Sequence, residues 1–184
     1  MKEYRKTKIN IYDLTKMAIC VTLLCISAYI LIPIPLSPAG ITGLTIIVNL
    51  IGLILSPKQA GITMAVYLLL GLVGVPVFGG GTAGPGKLFG PTGGFYLGFL
   101  IAAVIISLFK GKNIDIKRYI LVTIFLGMPL IYLFGSIYMS FILELGIKET
   151  LIMAVIPFIL GDVIKAIAAS FLGVALNNAL KKIK

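Results

Sequence analysis

Residues 71–98, GLVGVPVFGGGTAGPGKLFGPTGGFYLG, hold 11 of the 21 glycines of the chain, with Pro76, Pro85 and Pro91 among them. Glycine admits backbone conformations and close approaches closed to other residues, and proline fixes φ and removes a donor. The stretch therefore predicts a shaped loop interrupting any helix. Phe78, Phe89, Phe95 and Tyr96, together with the apolar runs on both sides, argue for an ordered loop over a disordered linker.

Outward from that loop the chain is overwhelmingly apolar. Of its 184 residues 59% are hydrophobic and 12% charged, against about 45–50% and about 25% in soluble domains. This is the composition of an integral membrane protein, and a hydrocarbon core of about 30 Å takes about 20 residues per helix. The expected architecture is an all-α, polytopic membrane protein, a single domain over residues 1–184 with six transmembrane helices and the glycine-rich loop between the third and fourth. The expected spans are 12–32, 41–55, 60 to about 72 or 75, 93–109, 119–143 and 150–180. Residues 33–38 break the chain with Pro33, Pro35 and Pro38, Ser56-Pro57-Lys58-Gln59 reads as a short turn, and residues 110–118 as a charged loop. Pro157 and Gly161 are the expected kink sites of the last span. Gly90, Gly94, Gly98 and Ala102 recur every four residues, a smooth strip for close helix packing.

The net charge of +10 would suggest nucleic acid in a soluble protein, but here the charges sit at the ends of apolar runs, and no nucleic-acid partner is expected. With the N-terminus inside, the cytoplasmic segments collect Lys2, Arg5, Lys6, Lys8, Lys16, Lys58, Lys110, Lys112, Lys117, Arg118, Lys181, Lys182 and Lys184. Lys87 and Lys148 fall outside, and Lys165 lies within a span. The asymmetry predicts a multi-pass cell-membrane protein with both termini cytoplasmic and the glycine-rich loop external. Tyr4 and Tyr12 are candidate interfacial anchors. The first apolar run continues to Ile34 without a small-residue cleavage site, so it is not read as a removable signal. No internal repeat of the kind many secondary transporters carry is visible.

Chemistry-bearing residues are few. The chain has no histidine, which removes imidazole bases and ligands. Cys20 and Cys25 stand without a metal-ligand pattern and read as buried packing residues. No metal or cofactor is expected, and the lack of histidine and of a Gly-x-Ser-x-Gly elbow argues against a hydrolase. Asp162 and Lys165 are the charged residues well inside an apolar run, and their spacing puts them on one helix face. Counted back from Lys181, they lie about 28 and 24 Å along an ideal helix, in the outer part of the membrane beside the glycine-rich loop. Two readings fit: a solute site, the usual meaning of charge at membrane depth, or a structural or snorkelling ion pair. Lys87 either attracts an anionic substrate group or keeps the loop soluble, and the loop amides suit an oxyanion. On the first helix Ala18 and Thr22 form a small-xxx-small pair, with Ser27 and Ala28 further up. The spacing does not decide whether the helix received there is internal or a partner's.

Gly74-Val-Pro76-Val-Phe78, the glycines after it, Gly90-Pro91-Thr92-Gly93-Gly94 and Gly161-Asp162-x-x-Lys165 closely resemble the BioY family, the biotin-binding S components of energy-coupling factor (ECF) transporters. The resemblance covers nearly the whole chain. It implies a non-enzymatic subunit that captures biotin from outside with high affinity, with Asp162 and Lys165 binding the substrate and the glycine-rich loop closing the pocket. Phe78, Gly80, Thr82, Lys87, Gly93 and Tyr96 are the further candidate contacts, Thr82 and Lys87 for the valerate carboxylate. The implied partners are a transmembrane coupling subunit, met through Ala18 and Thr22, and two cytoplasmic ATPases that hydrolyse the ATP. Two departures stand out: Ile41-Thr42-Gly43-Leu44 lacks the family's glutamine, and the second alanine of the first-helix motif is Thr22. The rival readings are an S component for another vitamin and a proton-coupled secondary transporter with Asp162 as proton carrier.

Overall fold

The structure, a computed structural model, describes residues 10–35 and 37–182. Tyr4, Lys2, Arg5, Lys6, Lys8 and Lys184 lie outside the described residues. The elements in chain order are α1 (Ile11–Ser27), β1 (Leu31–Ile32), β2 (Ile41–Thr42), α2 (Leu44–Ile54), α3 (Pro57–Leu72), α4 (Pro85–Leu88) and α5 (Gly93–Phe109), followed by α6 (Ile116–Val122), a π-helical turn (Thr123–Gly127), α7 (Met128–Leu143), α8 (Ile147–Ala154) and α9 (Ile156–Lys182). The fold is mostly helical, as expected, with one small exception. β1 and β2 pair antiparallel, Leu31 opposite Thr42 and Ile32 opposite Ile41, so the first helix stops at Ser27 instead of running on to Ile32.

Two helical stretches, Ile116–Leu143 and Ile156–Lys182, are long and apolar enough to cross a membrane; Leu44–Ile54 and Gly93–Phe109 are apolar but shorter. Only 33% and 28% of the most apolar window of the two long stretches is buried inside the protein. A core helix of a soluble protein would be covered by its neighbours. Here Phe141, Leu160 and Ile137 project outward, 80%, 75% and 62% exposed, as side chains facing lipid do.

Local chemistry explains several boundaries. Ser56-Pro57-Lys58-Gln59 is the start of α3 and not a free turn. The Ser56 hydroxyl accepts from the Gln59 amide, the Gln59 side chain accepts from the Ser56 amide, and Pro57 fills a first-turn position that needs no donor. Asp115 caps α6 by accepting from the Lys117 amide at 2.9 Å, which shortens the charged loop. The last span is divided: α8 ends at Ala154, Val155 leaves helical geometry (φ −127°, ψ −60°), and α9 then continues through Gly161. The expected kink at Pro157 or Gly161 is thus displaced to Val155, because Pro157, second in α9, sits where a missing N–H costs nothing.

The most extensive helix pairing is α5 against α7. A side chain at Gly94 would run into the Phe134 carbonyl and Tyr138, and one at Gly98 would meet the Ile131 backbone at 3.0 Å. The strip predicted from sequence therefore holds for Gly94, Gly98 and buried Ala102, whereas Gly90 lies before the helix, against the Gly86 carbonyl. In α1 the buried face is Met17, Cys20, Leu24 and Ser27, while Ala18 and Thr22 are exposed. Ser27 and Ala28 are buried, Cys20 is buried, and Cys25 is only half-buried.

Candidate functional site

At the end of the bundle that carries the glycine-rich loop lies a cavity of about 350 Å³. Its floor and walls come from α2, α5, α7 and α9, and its cover from residues 31–34, 37–42 and 79–87. The cover is tied down by backbone hydrogen bonds. The Gly80 amide donates to the Ala28 carbonyl at 2.8 Å, and the Gly43 amide donates to Ile30 at 3.0 Å. The Tyr29 hydroxyl donates to the Pro76 carbonyl at 2.8 Å. Phe78 and Thr82 exchange amide–carbonyl bonds of 2.8 and 3.2 Å around a tight turn. Gly80 and Gly81 have φ of 77° and 71° there, a conformation that a side chain would strain.

One wall is chemically distinct. The Asp162 carboxylate, 6% exposed, receives Lys165 Nζ at 3.0 Å and Thr45 Oγ1 at 3.1 Å on Oδ1, and the Tyr132 hydroxyl at 2.8 Å on Oδ2. The Lys165 contact is an ion pair along one face of α9. A buried charge is tolerated when it is paired and hydrogen-bonded, and three donors from three helices meet that condition. A carboxylate has about four acceptor sites and an ammonium three donors. The cluster therefore retains capacity to accept one N–H and to donate to a carbonyl. Thr45, Tyr132 and Lys165 all line the cavity with Asp162.

The remaining lining divides into an apolar middle, with Leu44, Phe95, Phe99, Ile131 and Phe158, and a polar group from the cover, with Gly80, Thr82 and Lys87. Burial holds the Lys87 amine below the usual lysine range. Thr82 Oγ1 donates to the Gly79 carbonyl at 3.1 Å. Tyr96 both lines the cavity and anchors the loop, its hydroxyl accepting from the Gly79 amide at 2.9 Å.

Of the residues singled out in the sequence, Asp162, Lys165, Gly80, Thr82, Lys87 and Tyr96 line this cavity. Phe78 and Gly93 do not. Phe78 is fully buried beneath Tyr96, ring centroids 4.6 Å apart, with Tyr67 edge-on at 5.8 Å; it supports the wall from behind. Gly93 is buried against the Leu88 carbonyl and the Tyr138 ring. Phe95 reaches the cavity, whereas Phe89 is 63% exposed on the outside. Sequence reading missed Thr45 and Tyr132, the two hydroxyls on Asp162. Thr45 stands one residue beyond the segment that lacks the family's glutamine, and its polar contact is to Asp162. Among the described residues no group of three His, Cys, Asp or Glu side chains is placed to hold a metal ion.

The sequence matches the family model described as the BioY family over residues 3–182. It is 34% identical over 173 residues to the biotin transporter BioY2 of Lactococcus lactis subsp. cremoris, with 93% of each chain covered. It is 31% identical over 166 residues to the biotin transporter BioY of Thermotoga maritima, covering 90% of this chain and 96% of that one. Among solved structures it resembles the S-component for biotin from an ECF-type ABC transporter, with a TM-score of 0.83 at 29% identity, covering 91% of this chain and 92% of the other.

Proposed function

The chain belongs to the BioY family, and from that premise we propose that it is a biotin-binding S component of an ECF-type transporter, taking up biotin in the cavity beneath the glycine-rich loop. The observation that carries this reading is the buried Asp162 carboxylate, held by Lys165, Tyr132 and Thr45 on the wall of a 350 Å³ cavity. Biotin's ureido ring presents N–H donors to Asp162 and a carbonyl to Lys165. Its fused rings lie against the apolar middle, and its carboxylate turns toward Lys87 and Thr82. The protein binds and releases, and carries out no covalent step.

Six membrane spans in one domain, with both termini cytoplasmic, complete the proposal. The exposed α1 face bearing Ala18 and Thr22 meets the transmembrane coupling subunit, and two cytoplasmic ATPases supply the energy. Exposure favours this over an internal role, because the helices of this chain pack against the opposite face of α1. The ion pair with Lys165 at 3.0 Å weighs against Asp162 as a lone proton carrier. The deciding measurement is calorimetric titration of the purified chain with biotin, thiamine and riboflavin. Saturable one-to-one binding of biotin alone is expected. Tight binding of thiamine or riboflavin with none of biotin would overturn the assignment.

A further inference from the structure

A second cavity, of about 190 Å³, lies at the other end of the bundle, where α1 begins and α9 ends. Its polar lining is Tyr12 and Lys16 from α1, Lys110 and Lys112 from the loop after α5, and Asn177 and Lys181 from α9. From Asp162 to Lys181 an ideal helix rises about 28 Å, so the two cavities are separate.

Four lysines share this lining, and among the described residues their partners do not balance their charge. Lys16 is paired with Asp13 at 2.7 Å. Lys110 donates to the Leu55 carbonyl, a neutral acceptor, and burial together with the nearby Lys16 pushes its amine down to about 8. Among the described residues Lys112 and Lys181 have neither an ion pair nor a hydrogen bond. The Tyr12 hydroxyl, also in the lining, is buried and has no hydrogen-bond partner among the described residues. Lysines brought together this way repel one another, and a buried donor without an acceptor is costly. One multi-oxygen anion would relieve both, since several donors from different directions suit a phosphate group.

We propose that this cavity is a binding site for a phosphate group, with Lys112 and Lys181 as its main cationic contacts and the Tyr12 hydroxyl as a further donor. The apolar part of the lining, including Ile54 and Leu180, suits the start of the acyl chains of an anionic phospholipid, whose phosphate sits beside them at the membrane boundary. Basic pockets between membrane helices recognise such headgroups. Soluble phosphate shares the chemistry without using the apolar wall. The proposal is independent of what the first cavity binds.

The test uses the full chain in lipid nanodiscs. In mixed discs, native mass spectrometry should show phosphatidylglycerol retained over phosphatidylcholine by roughly tenfold or more, from two uncompensated lysines near the surface. Lys112→Gln with Lys181→Gln should bring retention to parity, whereas Lys58→Gln with Lys148→Gln should not. In a second arm, inorganic phosphate is added to the chain in pure phosphatidylcholine discs at constant ionic strength. A rise in melting temperature that the Lys112/Lys181 double variant abolishes would identify soluble phosphate as the occupant. If the double variant fails to fold, Lys181→Gln alone is measured in both arms and should reduce whichever effect is seen. No selectivity in either arm, or selectivity that survives these substitutions, overturns the site.

Discussion

Asp162 and Ser170 lie about two turns apart on α9 and belong to two different kinds of buried polar cluster. Around Ser170 the polar atoms are consumed by the protein itself. Ser170 Oγ donates to the Ala166 carbonyl at 2.8 Å and stands 3.3 Å from Thr123 Oγ1, which donates in turn to Tyr119 and Ile120 carbonyls at 2.9 and 3.1 Å. Both side chains are completely buried, and neither lines either of the two cavities described above. Around Asp162 the same kind of satisfaction is reached with a charge, and on a cavity wall. Hydrogen bonding thus explains why a polar group survives in an apolar bundle; it does not explain why one cluster carries an ion pair and faces open space. That second property is what a ligand site requires.

The contrast breaks most sharply at Asp162. Asp162→Asn should weaken biotin binding by roughly 100-fold, the scale of a lost charge-assisted hydrogen bond, while Lys148→Gln leaves titration curves unchanged. Equal effects from the two would remove the site from α9. The packed cluster should respond in the opposite way. Thr123→Val keeps the shape, leaves the Ser170 hydroxyl with its Ala166 bond, and should lower unfolding stability by about 1 kcal/mol, read from thermal melts, with biotin affinity retained. Tyr132→Phe tests the boundary between the clusters, because it removes one donor from Asp162 and no charge. About fivefold weaker binding is expected from one lost hydroxyl, together with a lower melting temperature, because the buried carboxylate keeps two of its three donors.

The part of this contrast that the sequence announces is the part written along one helix. Asp162 and Lys165 are three residues apart, and helical geometry alone brings them to 3.0 Å. Gly94, Gly98 and Ala102 are likewise a property of one helix face. Tyr132 and Thr45 reach Asp162 from 30 and 117 positions away, and no local pattern distinguishes them from the other hydroxyls of an apolar chain. The glycine-rich stretch is legible as a loop because its backbone must turn at Gly80 and Gly81. The inward burial of Phe78 is set by Tyr67 and Tyr96 from other elements. The hairpin of β1 and β2 escaped notice for a related reason: two paired residues per strand are too few to leave an alternating pattern, and the prolines between them signal only a break. Pro157 misled because a proline near a helix start and one within it look alike until the helix boundary is known.

The smallest effect concerns Lys87, the cation of the cavity cover, and it is visible as a pH dependence. Burial holds its amine below the usual lysine range, about 10.4 in water. The cationic form, which attracts a carboxylate, is therefore complete at low pH and is lost as pH rises through that lowered value, earlier than for an exposed lysine. A bound biotin carboxylate favours the charged form and raises the lysine pKa in the complex, so binding on the alkaline side should take up protons and weaken as pH increases. The decline should be a few-fold, since a partly solvated pair contributes about 1 kcal/mol or less. Lys87→Arg stays charged throughout and should flatten the alkaline limb with neutral-pH affinity nearly preserved, whereas Lys87→Gln should flatten it at the weaker level. An alkaline decline that persists in both variants would move the carboxylate away from Lys87 and leave the α9 wall as the source of recognition.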